Sequence, residues 1–118
     1  MAKILVVDDA QFLRLRISKM LVQSGYDTLE AENGRQACDL YTTARPDVVL
    51  MDVTMPEMDG LAALKHIRSV DPNARVVMLT ALGQESIVLE AIRAGAKDFV
   101  VKPFEAGRVL SAIQKVIA

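Results

Sequence analysis

The chain is predicted to be an α/β protein, a parallel sheet with helices on both faces. Three observations predict it. Apolar runs rich in Val, Ile and Leu alternate strictly with segments of helical period. Glycine, Asn and Asp punctuate the junctions. The central runs Val48-Val-Leu-Met51 and Val76-Val-Met-Leu79 are apolar on both faces, as parallel strands buried on two sides should be.

Each element has its own signal. The first strand covers 3–8 and leads into a helix over 11–24. Leu13, Ile17, Met20 and Leu21 form that helix's core stripe, leaving Phe12, Leu15 and Val22 off it. Ser24-Gly25 closes it, since glycine accepts a left-handed conformation cheaply. The second strand, 27–31, is more polar (Asp27-Thr-Leu-Glu-Ala31) and belongs at a sheet edge. Asn33-Gly34 opens a helix over 34–44, and the third strand follows at 47–52. Asp59-Gly60 opens the third helix, 60–69, and Asp71-Pro72-Asn73 turns the chain into a strand at 75–80. In the fourth helix, 84–94, Ile87, Ala91 and Ala94 face the core while Val88, Leu89 and Ile92 fall outside that arc. Ala94-Gly95 ends it, and a strand at 97–101 and a helix at 105–117 complete the pattern.

The 118 residues make one domain, 1–118. With 52% hydrophobic residues a compact core is expected. Fourteen basic residues against 15 acidic ones give a formal charge of −1, and no basic stripe suits nucleic acid. Cys38 is the only cysteine and cannot form an internal disulfide, which suits a reducing cytosol. No leader and no apolar run of membrane-spanning length is present, so a cytoplasmic monomer without membrane contact is expected.

The functional signal lies where the runs stop. Asp8 and Asp9 end the first, Asp52 the third, Thr80 the fourth and Lys102 the fifth. Side chains at strand C-termini converge on the edge where parallel α/β sheets do their chemistry. Three carboxylates gathered there repel one another unless a cation intervenes. Mg²⁺ suits such hard oxygen donors. Asp9 and Asp52 are expected as direct ligands, Asp8 acting directly or through water, with the backbone carbonyl of Thr54 as a further oxygen. One carboxylate can then attack a phosphoryl donor, and Lys102 and the Thr80 hydroxyl would each serve a phosphoryl oxygen.

Taken singly, these residues admit plainer roles: Asp8-Asp9 or Thr80 as helix caps, Asp52 as a loop acid, Lys102 as a surface lysine. Their fall on four strand ends favours a site. Competing phosphate chemistries lack their motifs, for Asp8-Asp9-Ala10-Gln11-Phe12 is no Gly-rich loop and no G-x-S-x-G elbow occurs. Elsewhere plain readings suffice. His66 faces solvent, Cys38 packs beneath the second helix, Met55 and Met58 frame the loop after Asp52, and Arg14 and Arg16 form a solvated helix face.

Together Val6-Val7-Asp8-Asp9, Asp52 with Met55-Pro56-Glu57-Met58-Asp59-Gly60, Leu79-Thr80-Ala81, Gly95-Ala96-Lys97-Asp98-Phe99 and Lys102-Pro103-Phe104 resemble the receiver domain of bacterial two-component response regulators. The resemblance spans Lys3 to Val116 and is nearest to the stand-alone chemotaxis regulators. It implies a doubly wound, flavodoxin-like (βα)5 fold with strand order 2-1-3-4-5. It implies that Asp52 accepts phosphoryl from a histidine kinase of the chemotaxis type, with Mg²⁺ on Asp8, Asp9 and Asp52. Thr80 and Phe99 would be the switch pair, and the bond before Pro103 would be cis. Thr54 and Leu82 would influence the lifetime of the acyl phosphate, Leu82 being apolar where a polar group could orient water.

The leading expectation is therefore a phosphorylation-controlled switch rather than an enzyme, read on the fourth helix, fifth strand and fifth helix. Val88, Leu89, Ile92 and Phe99 would form the partner face, the partner being a flagellar motor switch protein. Phe12, expected close to the acid cluster, would help dock a kinase or phosphatase. Two other functions use the same acceptor: a phosphorelay intermediate passing phosphate to a histidine phosphotransferase, and an aspartyl-phosphate phosphohydrolase. Against the last, Thr54 stands where a general acid two residues after Asp52 would be needed.

Overall fold

A computed structural model describes residues 2–81 and 83–118; Leu82 lies outside the described residues. Strands and helices alternate without exception: β1 Lys3–Val7, α1 Gln11–Gln23, β2 Asp27–Ala31, α2 Gly34–Ala44, β3 Val48–Asp52, α3 Gly60–Val70, β4 Val76–Thr80, α4 Glu85–Arg93, β5 Asp98–Val101 and α5 Ala106–Ile117. The strands form one parallel sheet in the order β2-β1-β3-β4-β5. This is the doubly wound flavodoxin-like arrangement. The polar strand β2 lies at an edge, as its composition predicts.

Alternation along the strands sorts the core into two halves. Leu5, Val7, Val49, Met51, Val76 and Met78 point to one face, where Ala37, Leu64, Ile67 and Ala91 bring in α2, α3 and α4. Ile4, Val6, Val48, Leu50, Val77 and Leu79 point to the other, against Ile17 and Leu21 of α1 and Val109 and Ile113 of α5. Every residue of β3 and β4 is buried. Each large aliphatic side chain removed from water contributes about 1.5–3 kcal/mol, so the central strands are the rigid base of whatever their ends carry.

Helix ends follow the local chemistry. Asn33 accepts the Gln36 N–H at 2.9 Å and Asp59 the Ala62 N–H at 2.8 Å, each capping a first turn. Gly25 and Gly95 sit at φ 93° and 109° after α1 and α4. α2 ends instead on a non-glycine residue, Arg45 at φ 46°, whose guanidinium lies over the Tyr41 ring and 3.4 Å from Asp71. The predicted first, third, fourth and fifth strands and the first and fifth helices shorten by a residue at one end, the fourth helix by a residue at each end, and the third helix gains one. In β1 the reason is visible: Asp8 Oδ1 turns back to accept the Ala10 N–H at 2.9 Å, so Asp8 leaves the strand to shape the turn into α1.

Because β1 and β3 are neighbours while their following helices pack on opposite faces, the strand order reverses between them. A crevice opens at such a point beyond the carboxyl ends of the strands. Asp8 and Asp9 follow β1 there, and Asp52 ends β3.

Candidate functional site

Asp8, Asp9 and Asp52 each bring a carboxylate oxygen within 4.8 Å of the others'. Asp8 and Asp52 are buried, at 1% and 8% exposure, and Asp9 is exposed. Lys102, just beyond β5, reaches across the sheet end to join them: its Nζ lies 2.9 Å from Asp8 Oδ2 and 3.2 Å from Asp52 Oδ1. The backbone fixes that reach, since the Lys102 N–H donates to the Thr80 carbonyl at 2.6 Å. The Lys102–Pro103 peptide bond is cis. Thr80 is itself buried at the end of β4.

The charges in this pocket do not balance. Burial, and next the neighbouring Asp8, push the Asp52 carboxyl up to about 6; Lys102 pulls the other way and Asp9 adds a smaller upward push. Burial works against the Lys102 ammonium, yet its bonds to Asp8 and its attraction to Asp52 outweigh burial and raise its pKa. One ammonium, bonded to Asp8 and Asp52, thus stands in a cluster of three carboxylates, and the excess negative charge with its hard oxygen donors fits a small divalent cation.

Two side chains that sequence reading missed hold the site together. Arg14, expected in solvent, is folded inward: its Nη1 donates to the Asp8 carbonyl at 2.8 Å and its Nε to Glu30 at 2.9 Å. The correction has a plain cause, for β2 sets Glu30 directly opposite Val6 and offers the guanidinium a carboxylate beside the β1 terminus. Gln84, read only as the start of a helix, bridges the loops flanking the site, from the Ala81 N–H to the Thr54 hydroxyl. No periodicity or motif marks either residue, because both act through contacts across loops. Gly60 has a signal that could have been read more sharply. A Cβ there would collide with the Asp52 carbonyl, so α3 can begin against the end of β3 only as glycine.

The four residues expected to form a partner face line one groove. A groove of about 320 Å³ is lined by Val88, Leu89, Ile92 and Phe99, and Thr80 opens onto the same groove. Leu89 is 58% exposed and Phe99 37%, so this is an uncovered apolar surface. Ile87 and Ala94 pack toward the core as their spacing predicts. Phe12 is 74% exposed on α1, with the Arg16 guanidinium 5.7 Å from its ring centre. A larger groove of about 740 Å³ runs beside it between α1 and the β5–α5 loop, walled by Leu13, Ile17, Met20 and Phe104, with Arg16 and Lys19 in its wall. His66 is exposed, and Cys38 is buried with its Sγ 3.7 Å from Met58 Sδ. Both positions accord with the plain readings.

Comparison with known proteins adds to this geometry. The response regulator receiver domain family matches residues 4–114. The chain is 55% identical over 116 residues to the chemotaxis protein CheY of Bacillus subtilis, covering 98% of this chain and 97% of that one. It is 49% identical over 115 residues to CheY of Thermotoga maritima, covering 97% and 96%. Among solved structures, the CheX–CheY–BeF3–Mg complex from Borrelia burgdorferi superposes with a TM-score of 0.94 at 35% identity, covering 99% of this chain and 90% of that one. No described helix is long and apolar enough to cross a membrane.

Proposed function

The chain belongs to the response regulator receiver domain family and is CheY-like along nearly its whole length; from that premise we propose that it is a phosphorylation-controlled switch with Asp52 as the phosphoacceptor. The observation that carries this reading is the shared ammonium: Lys102 contacts Asp52 and Asp8 at once. An acceptor carboxylate raised to about 6 is ionised at neutral pH yet more basic than an ordinary aspartate, and so a better nucleophile. One Asp52 oxygen forms the new bond to phosphorus while the bond to the donor's histidine nitrogen breaks, and the imidazole leaves.

Lys102 then loses its bond to Asp52 and takes a phosphoryl oxygen, while Asp8 keeps it oriented. The Thr80 hydroxyl serves a second oxygen. Magnesium held by Asp8, Asp9, Asp52 and the Thr54 carbonyl would neutralise phosphoryl charge, and the relative from Borrelia burgdorferi solved with BeF3 and Mg supports that choice. Phe99 is the second half of the switch, turning inward when Thr80 moves, and Val88, Leu89 and Ile92 read the change to a partner. A histidine kinase of the chemotaxis type as donor and a flagellar motor switch protein as receiver follow from the likeness to chemotaxis proteins. The exposed Phe12 suits docking of the kinase or a phosphatase.

The direct test is incubation with labelled acetyl phosphate and magnesium. One equivalent of acid-stable, base-labile label, lost in Asp52→Asn, is the expected result. Many turnovers per chain would favour a phosphohydrolase, and no label would overturn the assignment.

A further inference from the structure

The amide of Gln84 spans the loops that follow β3 and β4. Its Oε1 accepts the Ala81 N–H at 2.6 Å, and its Nε2 donates to the Thr54 hydroxyl at 3.0 Å. Ala81 directly follows Thr80, and Thr54 lies just after Asp52 on the adjacent strand, whose register sets Asp52 opposite Leu79. Gln84 also stands where α4 begins, yet its side chain caps nothing in that helix. Its polar atoms are committed to the two loops instead.

The helix behind it is lightly held. Ala91 is the one fully buried residue of α4, and in its first turn Ile87, partly exposed, is the side chain that packs on the core. The Ala81 N–H, meanwhile, is a backbone donor at the carboxyl edge of the sheet, next to the acceptor strand. A phosphoryl group on Asp52 brings new oxygen acceptors to that edge, where this donor is already occupied.

We propose that Gln84 is a positioning residue, a latch that holds the loop between β4 and α4 in its resting arrangement by occupying the Ala81 N–H and the Thr54 hydroxyl. The phosphorylated state forms only when Gln84 lets both go. Because Gln84 also lines the groove of Val88, Leu89 and Phe99, the latch joins the acceptor to the partner face. A conformational equilibrium shifts only through contacts that differ between its states, and these two bonds weight the resting one. The proposal deepens the function given above and rests on it.

Four chains test it: native, Gln84→Ala, Gln84→Glu and Thr54→Val. Each is isotope-labelled, titrated with beryllofluoride and magnesium by NMR, and followed for amide-proton exchange at Ala81. Losing the latch should tighten beryllofluoride binding in Gln84→Ala by about fivefold, the weight of one ordinary net hydrogen bond. Thr54→Val should tighten it less. Gln84→Glu keeps an acceptor for the Ala81 N–H, so it should bind no tighter than native and keep that amide protected, whereas Gln84→Ala exposes it. A Gln84→Ala chain that binds no tighter than native, or whose Ala81 amide exchanges no faster, overturns the latch alone. A native chain that neither binds beryllofluoride nor takes label from acetyl phosphate overturns the acceptor reading on which it rests.

Discussion

Lys102 and Asp8 are 94 positions apart in sequence, yet the ammonium lies 2.9 Å from a carboxylate that is almost wholly buried. A buried carboxylate without a partner carries a large desolvation penalty, and Asp8 Oδ2 meets this one with Lys102. The ion pair is thus part of the fold's integrity as well as of its chemistry.

Removing the ammonium should therefore destabilise the resting chain. Lys102→Met is expected to lower the unfolding free energy by about 2 kcal/mol at neutral pH, less than a fully buried pair would lose because the lysine end is partly exposed. Magnesium should recover part of that loss by neutralising the same carboxylates, through preferential binding to the folded state. Urea denaturation with and without magnesium checks both. A deficit that magnesium leaves untouched would separate the metal site from Asp8.

The second expectation concerns pH, and its sign is unusual for an aspartate. The folded-state value for Asp52 is raised to about 6 from 3.8, chiefly by burial and then by Asp8. Between those values the folded chain holds a proton that the unfolded chain has released, so this group's contribution to stability falls as pH rises through the window. Asp52→Asn removes the penalty. It should leave stability nearly unchanged at pH 4, where Asp52 is protonated in the folded state, and raise it by on the order of 2 kcal/mol at pH 8 without magnesium. Comparing the two chains at each pH cancels the titration of the acids remote from Asp52. Equal differences at both pH values would contradict the raised pKa.

How much of this was readable beforehand depends on whether a residue acts along its own element or across elements. Period and strand ends placed Asp8, Asp9, Asp52, Thr80 and Lys102 at one edge, because a parallel sheet converts separate run ends into neighbours. The same periodicity put Ile87 and Ala94 inward on α4 and left Leu89 and Ile92 exposed. Arg14 escaped because its partners are a backbone carbonyl and Glu30 on the neighbouring strand, and a charged residue on a helix gives no sign of such a choice. Gln84 escaped for the related reason that its contacts depend on how two loops meet. Glu57, at φ 71° in the loop after Asp52, is equally silent in sequence, since glutamate has no preference for that conformation.

Two glycine substitutions should separate. Gly60→Ala drives a Cβ into the Asp52 carbonyl, a backbone atom that cannot turn aside. A cost of about 1–3 kcal/mol is expected, with altered chemical shifts at Asp52 and Val53. Gly107→Ala meets open space near the start of α5 and should stabilise by about 0.5 kcal/mol through a less flexible unfolded chain. Thermal unfolding of the pair is the measurement; a mild effect at Gly60 would mean that α3 does not press on β3.

Thr80 and Phe99 offer the last expectation, because both open onto the groove beside α4 while Thr80 is buried and Phe99 is half-exposed. If Phe99 enters space that Thr80 leaves, the two are energetically independent at rest and coupled once the acceptor is occupied. A double-mutant cycle with Thr80→Ala and Phe99→Leu should give a resting interaction energy near zero by urea denaturation. The same cycle read through beryllofluoride affinity should give about 0.5 kcal/mol or more, the range found for residues that share a cavity. Coupling of equal size in both states would make the pair a static packing contact, and partner binding at Leu89 and Ile92 would then need another route from Asp52.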